Sequence, residues 1–220
     1  MNIVIFGASG MVGQGVLREC LRDAGVGRVL AVGRAPLAAR DPKLEAVVVP
    51  DLLQLGAIEG RLADCDACFF TLGVSSSGLD EARYTALTHD LTLSVARTLA
   101  RLRPGMVFTY VSGAGTDSSE RGRSMWARVK GRTENALLAL PLKAFMFRPG
   151  LIVPMHGETS KTPAYRVFYA LTGAVLRPLR RLLPSSMATT TEQMGRAMLA
   201  VARDGSALRV LESADINRLR

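Results

Sequence analysis

The sequence has few of the residues on which several functional classes depend. It contains three cysteines, two histidines and one tryptophan among 220 residues. A small odd number of cysteines argues against a disulfide framework, and two histidines leave few ligands for a zinc site. The uncharged apolar stretch VFYALTGAVL, at 167–176, has ten residues and is too short to cross a bilayer. We therefore expect neither a metal site nor a transmembrane segment.

The amino terminus also lacks the features of a secretory signal, because MNIVIFGASG has no basic region before its short apolar run. We therefore expect a cytoplasmic chain. Cys65 and Cys68 form a CxxC motif, but the motif leads into CFFTLG, which is typical of a strand. A redox CxxC begins a helix, where the helix dipole stabilises the thiolate. We interpret this pair as small apolar residues at the entry of a strand.

Acidic residues are outnumbered, with 19 against 28 basic residues and a net charge of +9. The excess is local, since five bases and no acid lie between Glu120 and Glu134, and five more between Glu158 and Glu192. No alternation of aromatic and basic residues marks a stacking platform, so no nucleic-acid partner is expected. The second segment predicts either a solvated helix face or a basic surface for an anionic substrate or, weakly, for anionic lipid. Its bases are Lys161, Arg166, Arg177, Arg180 and Arg181.

Short apolar runs bounded by glycine or proline alternate with helical patterns along the chain. The runs are NIVIFG, RVLAVG, EAVVVP, ACFFTLG, GMVFTYVSG and LKAFMFRPG. Runs without polar alternation suit a parallel sheet that is covered on both faces, and helices are predicted over 80–102 and 124–140. The pattern predicts an α/β fold, a Rossmann-type doubly wound parallel sheet of about seven strands.

The pattern changes after residue 150, where helices are predicted around 162–183 and 191–203, with a short strand in LRVLE. We expect one domain over residues 1–220, in which residues 151–190 form a small C-terminal helical cap.

The strongest motif is GASGMVGQG, in which Gly7, Gly10 and Gly13 follow the first strand and open a helix. The first glycine permits a tight turn, the second lets the backbone approach a pyrophosphate, and the third allows close packing of helix on strand. Phosphates then meet the free N–H groups and the positive end of the helix. The predicted cofactor contacts of this turn are Gly7, Ser9, Gly10, Met11, Val12 and Gly13.

The end of the second strand indicates which dinucleotide is bound. A cofactor with a free ribose 2′-hydroxyl usually meets a carboxylate there, but this chain has Gly33 and Arg34. An arginine suits a 2′-phosphate, so NADP(H) is favoured over NAD(H). Asp51, after the third strand, either accepts a hydrogen bond from the adenine amine or caps a helix; its neighbour Leu52 is predicted to contact the cofactor.

These motifs together resemble a known superfamily. GASGMVG, PDL, TLG, YVSGAG, WxxxK and RPG occur in the order found in short-chain dehydrogenases/reductases. VKGRTENALLAL followed by FRPG, and TTTEQMGRAMLAVARDG, resemble its extended or atypical branch. That branch comprises small epimerase-like oxidoreductases related to the Tat-interacting oxidoreductase and to NmrA-like proteins. The resemblance covers nearly the whole chain and implies a Rossmann fold with an NADP(H) cleft.

The resemblance also implies roles for individual residues. Ser112 would polarise a substrate carbonyl, and Lys130 would hold the nicotinamide ribose and lower the pKa of a tyrosine at position 126. Leu72 and Gly73 would lie under the cofactor, while Pro149 and Gly150 would flank the nicotinamide.

The chain departs from this pattern at position 126, which is Trp126. An indole N–H is a donor only and cannot exchange a proton with an alkoxide. His156 is the first alternative proton donor, because its ordinary pKa lies near neutrality. Tyr110, which shares a sheet face with Ser112, and Tyr165, in the predicted cap, are the others.

Three functions remain open at this point. The first is an NADPH-dependent oxidoreductase that reduces a small carbonyl compound, in which the cofactor carries the hydride. The second is a catalytically silent NADP(H)-binding regulator, with Trp126 packed where a substrate would react. The third is an epimerase or dehydratase acting on a nucleotide sugar. A homodimer formed through the helices around the fifth strand is expected by analogy alone.

Overall fold

The computed structural model describes residues 1–159 and 184–219. Its strands are β1 (Asn2–Phe6), β2 (Arg28–Gly33), β3 (Leu44–Val48), β4 (Ala67–Phe70), β5 (Val107–Val111), β6 (Lys143–Arg148), β7 (Leu151–Val153), β8 (Ala188–Thr190) and β9 (Val210–Glu212). Seven of them form one sheet in the order β3-β2-β1-β4-β5-β6-β9, and every pairing in it is parallel. The predicted sheet of about seven strands is confirmed.

The helices are α1 (Met11–Arg22), α2 (Glu59–Ala63), α3 (Glu81–Thr85), α4 (Leu91–Leu102), α5 (Met125–Leu138), α6 (Thr191–Asp204) and α7 (Ser213–Arg218). A 3-10 turn, Gly56–Ile58, precedes α2. The helix predicted over 80–102 is interrupted, because a π-helical turn at Ala86–Asp90 separates α3 from α4. None of the helices in the described ranges is long and apolar enough to span a bilayer.

The strands are buried on both faces of the sheet, as their unbroken apolar runs predict. In β1, Val4 and Phe6 face a cluster that includes α4, whereas Ile3 and Ile5 face a cluster that includes α1 and α6. All four side chains are fully buried. Helices therefore cover the sheet on both sides, and the carboxyl ends of β1, β2 and β4 lie side by side at one edge.

The carboxyl-terminal part contains the helix predicted around 191–203, as α6, and the strand predicted in LRVLE, as β9. Strand β9 is the seventh strand of the main sheet, and α6 packs its apolar face into the same cluster as α1. This region therefore continues the sheet and its helical layer. Of the predicted cap, β7 pairs with β8 in a separate parallel pair. The five bases of the second basic segment, and Tyr165, lie outside the described residues.

Candidate functional site

A groove of about 530 Å³ lies at the carboxyl ends of the central strands. This volume is within the usual range for a small-molecule site. Parallel sheets of this kind bind ligands at this edge, beside the point where strand order reverses. The lining residues are Gly7, Ser9, Gly10, Met11, Val12, Gly33, Arg34, Ala35, Leu52, Thr71, Leu72, Gly73, Val111 and Lys130. Most of the predicted cofactor contacts thus share one groove.

The glycine turn, residues 7–13, forms one wall of this groove. Gly7 has a φ of +95°, which favours glycine, and the Gly10 N–H donates to its carbonyl at 2.9 Å. A Cβ on Gly13 would lie 2.1 Å from the Gly7 carbonyl oxygen, so only glycine fits there. Helix α1 begins immediately after Gly10, and its first N–H groups have no partners within the helix. The turn can therefore present backbone donors to an anion.

Arg34 lies at the end of β2, is exposed, and lines the same groove. No ion pair within the described ranges engages its guanidinium. Asp51 makes local contacts instead: its carboxylate accepts from the Leu53 N–H at 3.0 Å and from Gln54 Nε2 at 3.1 Å. It therefore closes a local turn and caps no helix, since the N-cap of the following 3-10 turn is Leu55. The buried Leu52 lines the groove, and the contact of Asp51 with an adenine amine stays a prediction.

Lys130 projects from α5 into the groove, where its ammonium donates to the Ser112 carbonyl oxygen. Burial lowers the pKa of Lys130 from its ordinary 10.5 to about 8, and the carboxylate of Glu134 opposes this shift. Ser112 itself is buried at the end of β5, and its hydroxyl donates to the Phe147 carbonyl at 3.2 Å. The Ser112 proton is thus directed into β6 in this arrangement, and its carbonyl-polarising role stays a prediction.

Trp126 lies one turn before Lys130 on α5 and is partly buried. Its indole packs against Gly115: a Cβ added at that glycine would lie 3.6 Å from Trp126 Cη2. Within the described residues, Trp126 is not part of the groove lining. The indole thus fills space beside the β5–α5 loop, consistent with a packing role.

The alternative proton donors are held elsewhere. His156 Nε2 lies 2.8 Å from a Glu192 carboxylate oxygen, and His156 is absent from the described lining of the groove. Tyr110 is 1% exposed, and burial raises its pKa. Pro149 and Gly150 also contribute nothing to the described lining: the Pro149 carbonyl accepts from the Ala114 N–H at 2.9 Å, and the Gly150 N–H donates to Ser213 Oγ at 2.8 Å.

A buried ion pair behind Lys130 was not predicted from the sequence. Glu134 is fully buried, and Arg148 binds it in a bidentate manner, with Nε 3.0 Å from Oε1 and Nη2 against Oε2. Arg148 also donates to Ser118 Oγ at 2.5 Å. Two features of the sequence could have indicated this pair. Glu134 lies four residues after Lys130, one helical turn away, and Arg148 directly precedes Pro149 and Gly150. We call Ser112, Trp126, Lys130, Glu134 and Arg148 the lysine corner.

A third residue that the sequence analysis missed is Thr71, which lines the groove and donates from Oγ1 to the Phe6 carbonyl at 2.9 Å. The CxxC motif behaves as interpreted, because Cys65 and Cys68 are buried, unpaired thiols at the entry of β4. Burial raises the pKa of both. Neither is an activated thiolate.

Comparison with solved structures identifies relatives by fold. The chain superposes on Bordetella bronchiseptica WbmF in complex with NAD⁺ with a TM-score of 0.67 and 17% identity, covering 99% of this chain and 76% of the other. Yeast Gre2, a methylglyoxal/isovaleraldehyde reductase complexed with NADPH, superposes with a TM-score of 0.67 and 13% identity. The match covers 96% of this chain and 77% of Gre2. MoeE5, in complex with UDP-glucose and NAD, superposes with a TM-score of 0.67 and 18% identity. The match covers 96% of this chain and 75% of MoeE5. The expected Rossmann fold is therefore that of nicotinamide-dinucleotide-binding proteins.

No family model matches the chain, but named protein sequences do. Protein fmp52, mitochondrial, of Emericella nidulans is 27% identical over 204 residues, which cover 89% of this chain and 84% of the relative. Its counterpart in Aspergillus clavatus is 30% identical over 178 residues, covering 77% and 74%. The predicted cytoplasmic location is wrong on this comparison, since these relatives are named as mitochondrial proteins. The extent and identity of the match show that the chain belongs to the fmp52 family.

Proposed function

We propose that the chain is an NADP(H)-binding oxidoreductase that reduces a small carbonyl compound. The observation that carries this proposal is the composition of one groove, which is lined by the glycine turn, by Arg34 at one end and by Lys130 at the other. Backbone donors suit a pyrophosphate, and an ammonium suits ribose hydroxyls. Solved proteins of the same fold bind NAD⁺ or NADPH, which supports a nicotinamide cofactor.

The preference for NADP(H) rests on Arg34. Arg34 directly follows β2 and lines the groove, and the end of β2 has no carboxylate that could accept a hydrogen bond from a 2′-hydroxyl. A charge-assisted hydrogen bond contributes about 1.5–3 kcal/mol, which corresponds to a roughly 10–100-fold difference in affinity.

Calorimetry with both cofactors tests this preference. We expect NADPH to bind the wild type more tightly than NADH, and Arg34→Ala to weaken NADPH alone. Arg97→Ala is the matched control, because Arg97 is an exposed arginine on α4 outside the described groove lining. Equal affinity of the wild type for the two cofactors would contradict the proposal.

Turnover separates the reductase from the two alternatives. Methylglyoxal and isovaleraldehyde, the compounds in the name of Gre2, are the first substrates to offer with NADPH. UDP-glucose and UDP-glucuronic acid, bound by MoeE5, test the nucleotide-sugar alternative. Tight NADPH binding without consumption of any of them would favour the silent regulator, for which Trp126 is the supporting residue.

Several finer assignments accompany this proposal. We assign the chain to the epimerase-like, extended branch of the short-chain dehydrogenases/reductases, as one domain over residues 1–220 with a substrate cap at 151–190. An anionic substrate, weak contact with a membrane surface and a homodimer through the helices around β5 also remain predictions. Sedimentation of the purified chain tests the last of these.

A further inference from the structure

The groove contains few groups able to give up a proton. Among its described lining residues, the side chains with ionisable protons are Arg34 and Lys130. A guanidinium stays protonated in proteins, so Arg34 cannot act as an acid. Tyr84 and Tyr110 are each 1% exposed, and burial raises the pKa of both. With Trp126 packed against Gly115, Lys130 is the proton donor that the described groove offers.

The position of Lys130 suits this role. An ammonium has three N–H donors, and one is given to the Ser112 carbonyl. Two remain for a ribose hydroxyl and for a substrate oxygen. The ammonium is also poised to release a proton near neutral pH, because burial has lowered its pKa to about 8. Efficient general acids have a pKa close to the working pH.

The buried pair behind Lys130 explains how such a pKa is maintained. Glu134 is the charged group that acts on Lys130 within the described ranges, and its carboxylate alone raises the lysine pKa. Arg148 binds both oxygens of Glu134 and compensates that charge. Desolvation is the larger of the two effects on the pKa of Lys130, and the attraction of Glu134 is the smaller. Tyr84 and Tyr110 remain neutral over the same pH range because their pKa values are raised.

We propose that Lys130 is the catalytic acid of this chain in place of the absent tyrosine, and that Glu134 and Arg148 are positioning residues that set its proton affinity. This inference rests on the proposed function. The carbonyl carbon accepts a hydride from NADPH, which is oxidised to NADP⁺. The C=O π electrons move to oxygen, and the N–H bond of Lys130 breaks as the O–H bond forms. The neutral amine then recovers a proton from water.

The first test replaces the lysine by a cation that cannot release a proton. Lys130→Arg keeps a positive charge and hydrogen-bond donors, so we expect NADPH affinity within about threefold of wild type, while turnover falls about 10²–10⁴-fold. Lys143→Arg, on an exposed lysine of β6, is the matched control. Wild-type turnover in Lys130→Arg would overturn the inference and leave the proposed function intact. Failure of the wild type to bind NADPH would instead overturn the proposed function.

The second test is the pH profile of kcat/KM, which a purely structural role would not shift. We expect activity to fall about tenfold per pH unit above the pKa of Lys130. Glu134→Gln removes the opposing carboxylate and should move this fall to lower pH. Arg148→Met leaves that carboxylate uncompensated and should move it to higher pH. Because breaking one partner of a buried pair can unfold a protein, the double variant Glu134→Gln/Arg148→Met is included, with a profile between the two.

A third measurement does not depend on activity. The chain has four lysines, so reductive ¹³C-methylation gives few NMR signals, and Lys130→Arg assigns the one of interest. We expect that signal to titrate near pH 8 in the cofactor-free chain, well below the ordinary lysine pKa of 10.5. Titration of Lys130 above pH 10, or pH profiles that do not separate the two single variants, would overturn the inference.

Discussion

The glycine turn and Lys130 of the lysine corner line the same groove, but the two regions are built in different ways. The glycine turn consists of backbone, and its geometry depends on contacts between residues six positions apart, such as Gly7 with Gly13. The lysine corner depends on the charged side chains of Lys130, Glu134 and Arg148, which α5 and β6 contribute. The glycine turn has no space for an added atom, whereas the protonation of the lysine corner depends on how far its charges compensate each other. Substitutions should therefore act sterically on one side and through pH on the other.

The largest effect is expected where an added atom meets backbone. Gly13→Ala would place a Cβ 2.1 Å from the Gly7 carbonyl oxygen, and neither backbone segment can move without opening the turn. We expect about 3 kcal/mol of lost stability and loss of NADPH binding by calorimetry. Gly60→Ala is the control, because a Cβ there meets nothing within 4 Å in α2. It should stabilise the chain slightly, by about 0.5–1 kcal/mol. Intact NADPH binding in Gly13→Ala would contradict the role of the turn.

This contrast also explains how much of the molecule the sequence predicts. The seven strands, α1 and the glycine turn follow from local patterns, because apolar runs and glycines specify backbone within a few residues. The π-helical turn at Ala86–Asp90 could not be predicted from such patterns. The sequence from α3 to α4 shows one continuous helical pattern, with no local feature that marks the turn. Helix α7 was not predicted, as it has six residues and depends on a capping box between Glu212 and Asp215.

The lysine corner was predicted only in part for the same reason. Ser112 and Lys130 were identified by resemblance, but nothing in the sequence pairs Glu134 with Arg148 across a helix and a strand. His156 was ranked first among the alternative donors from its ordinary pKa alone. Its pairing with Glu192, on α6, depends on a chain reversal that no local pattern specifies.

The effect of intermediate size is expected at Lys130, where a substitution changes the stability of the chain through electrostatics. Lys130 has a lower pKa in the folded chain than its ordinary 10.5, so between about pH 8 and 10.5 the unfolded state binds the additional proton. The stability of the wild type should therefore rise with pH across this window. Lys130→Met removes the desolvated charge, and we expect it to be about 2 kcal/mol more stable than wild type at pH 7, since each pKa unit is worth about 1.4 kcal/mol.

Urea unfolding at pH 7 and pH 10 measures this difference, which should shrink at the higher pH. The exposed Lys143 provides the control, as Lys143→Met should change stability by less than about 0.5 kcal/mol at either pH. A Lys130→Met variant that is less stable than wild type at pH 7 would show that its ammonium is stabilised by its surroundings. The lysine corner would then owe its properties to pairing and not to desolvation.

The smallest effect is expected at Trp126, the residue that separates this chain from the family pattern. Its indole is partly buried against Gly115 and is not part of the described groove lining. Trp126→Phe should therefore cost about 1 kcal/mol of stability and change turnover less than about threefold, against the 10²–10⁴-fold that loss of a proton donor costs. Trp126→Tyr adds a phenol one turn before Lys130 and should raise turnover, because the ammonium lowers a phenol pKa. A hundredfold loss in Trp126→Phe, with NADPH binding intact, would place the indole in the chemistry and remove that role from Lys130.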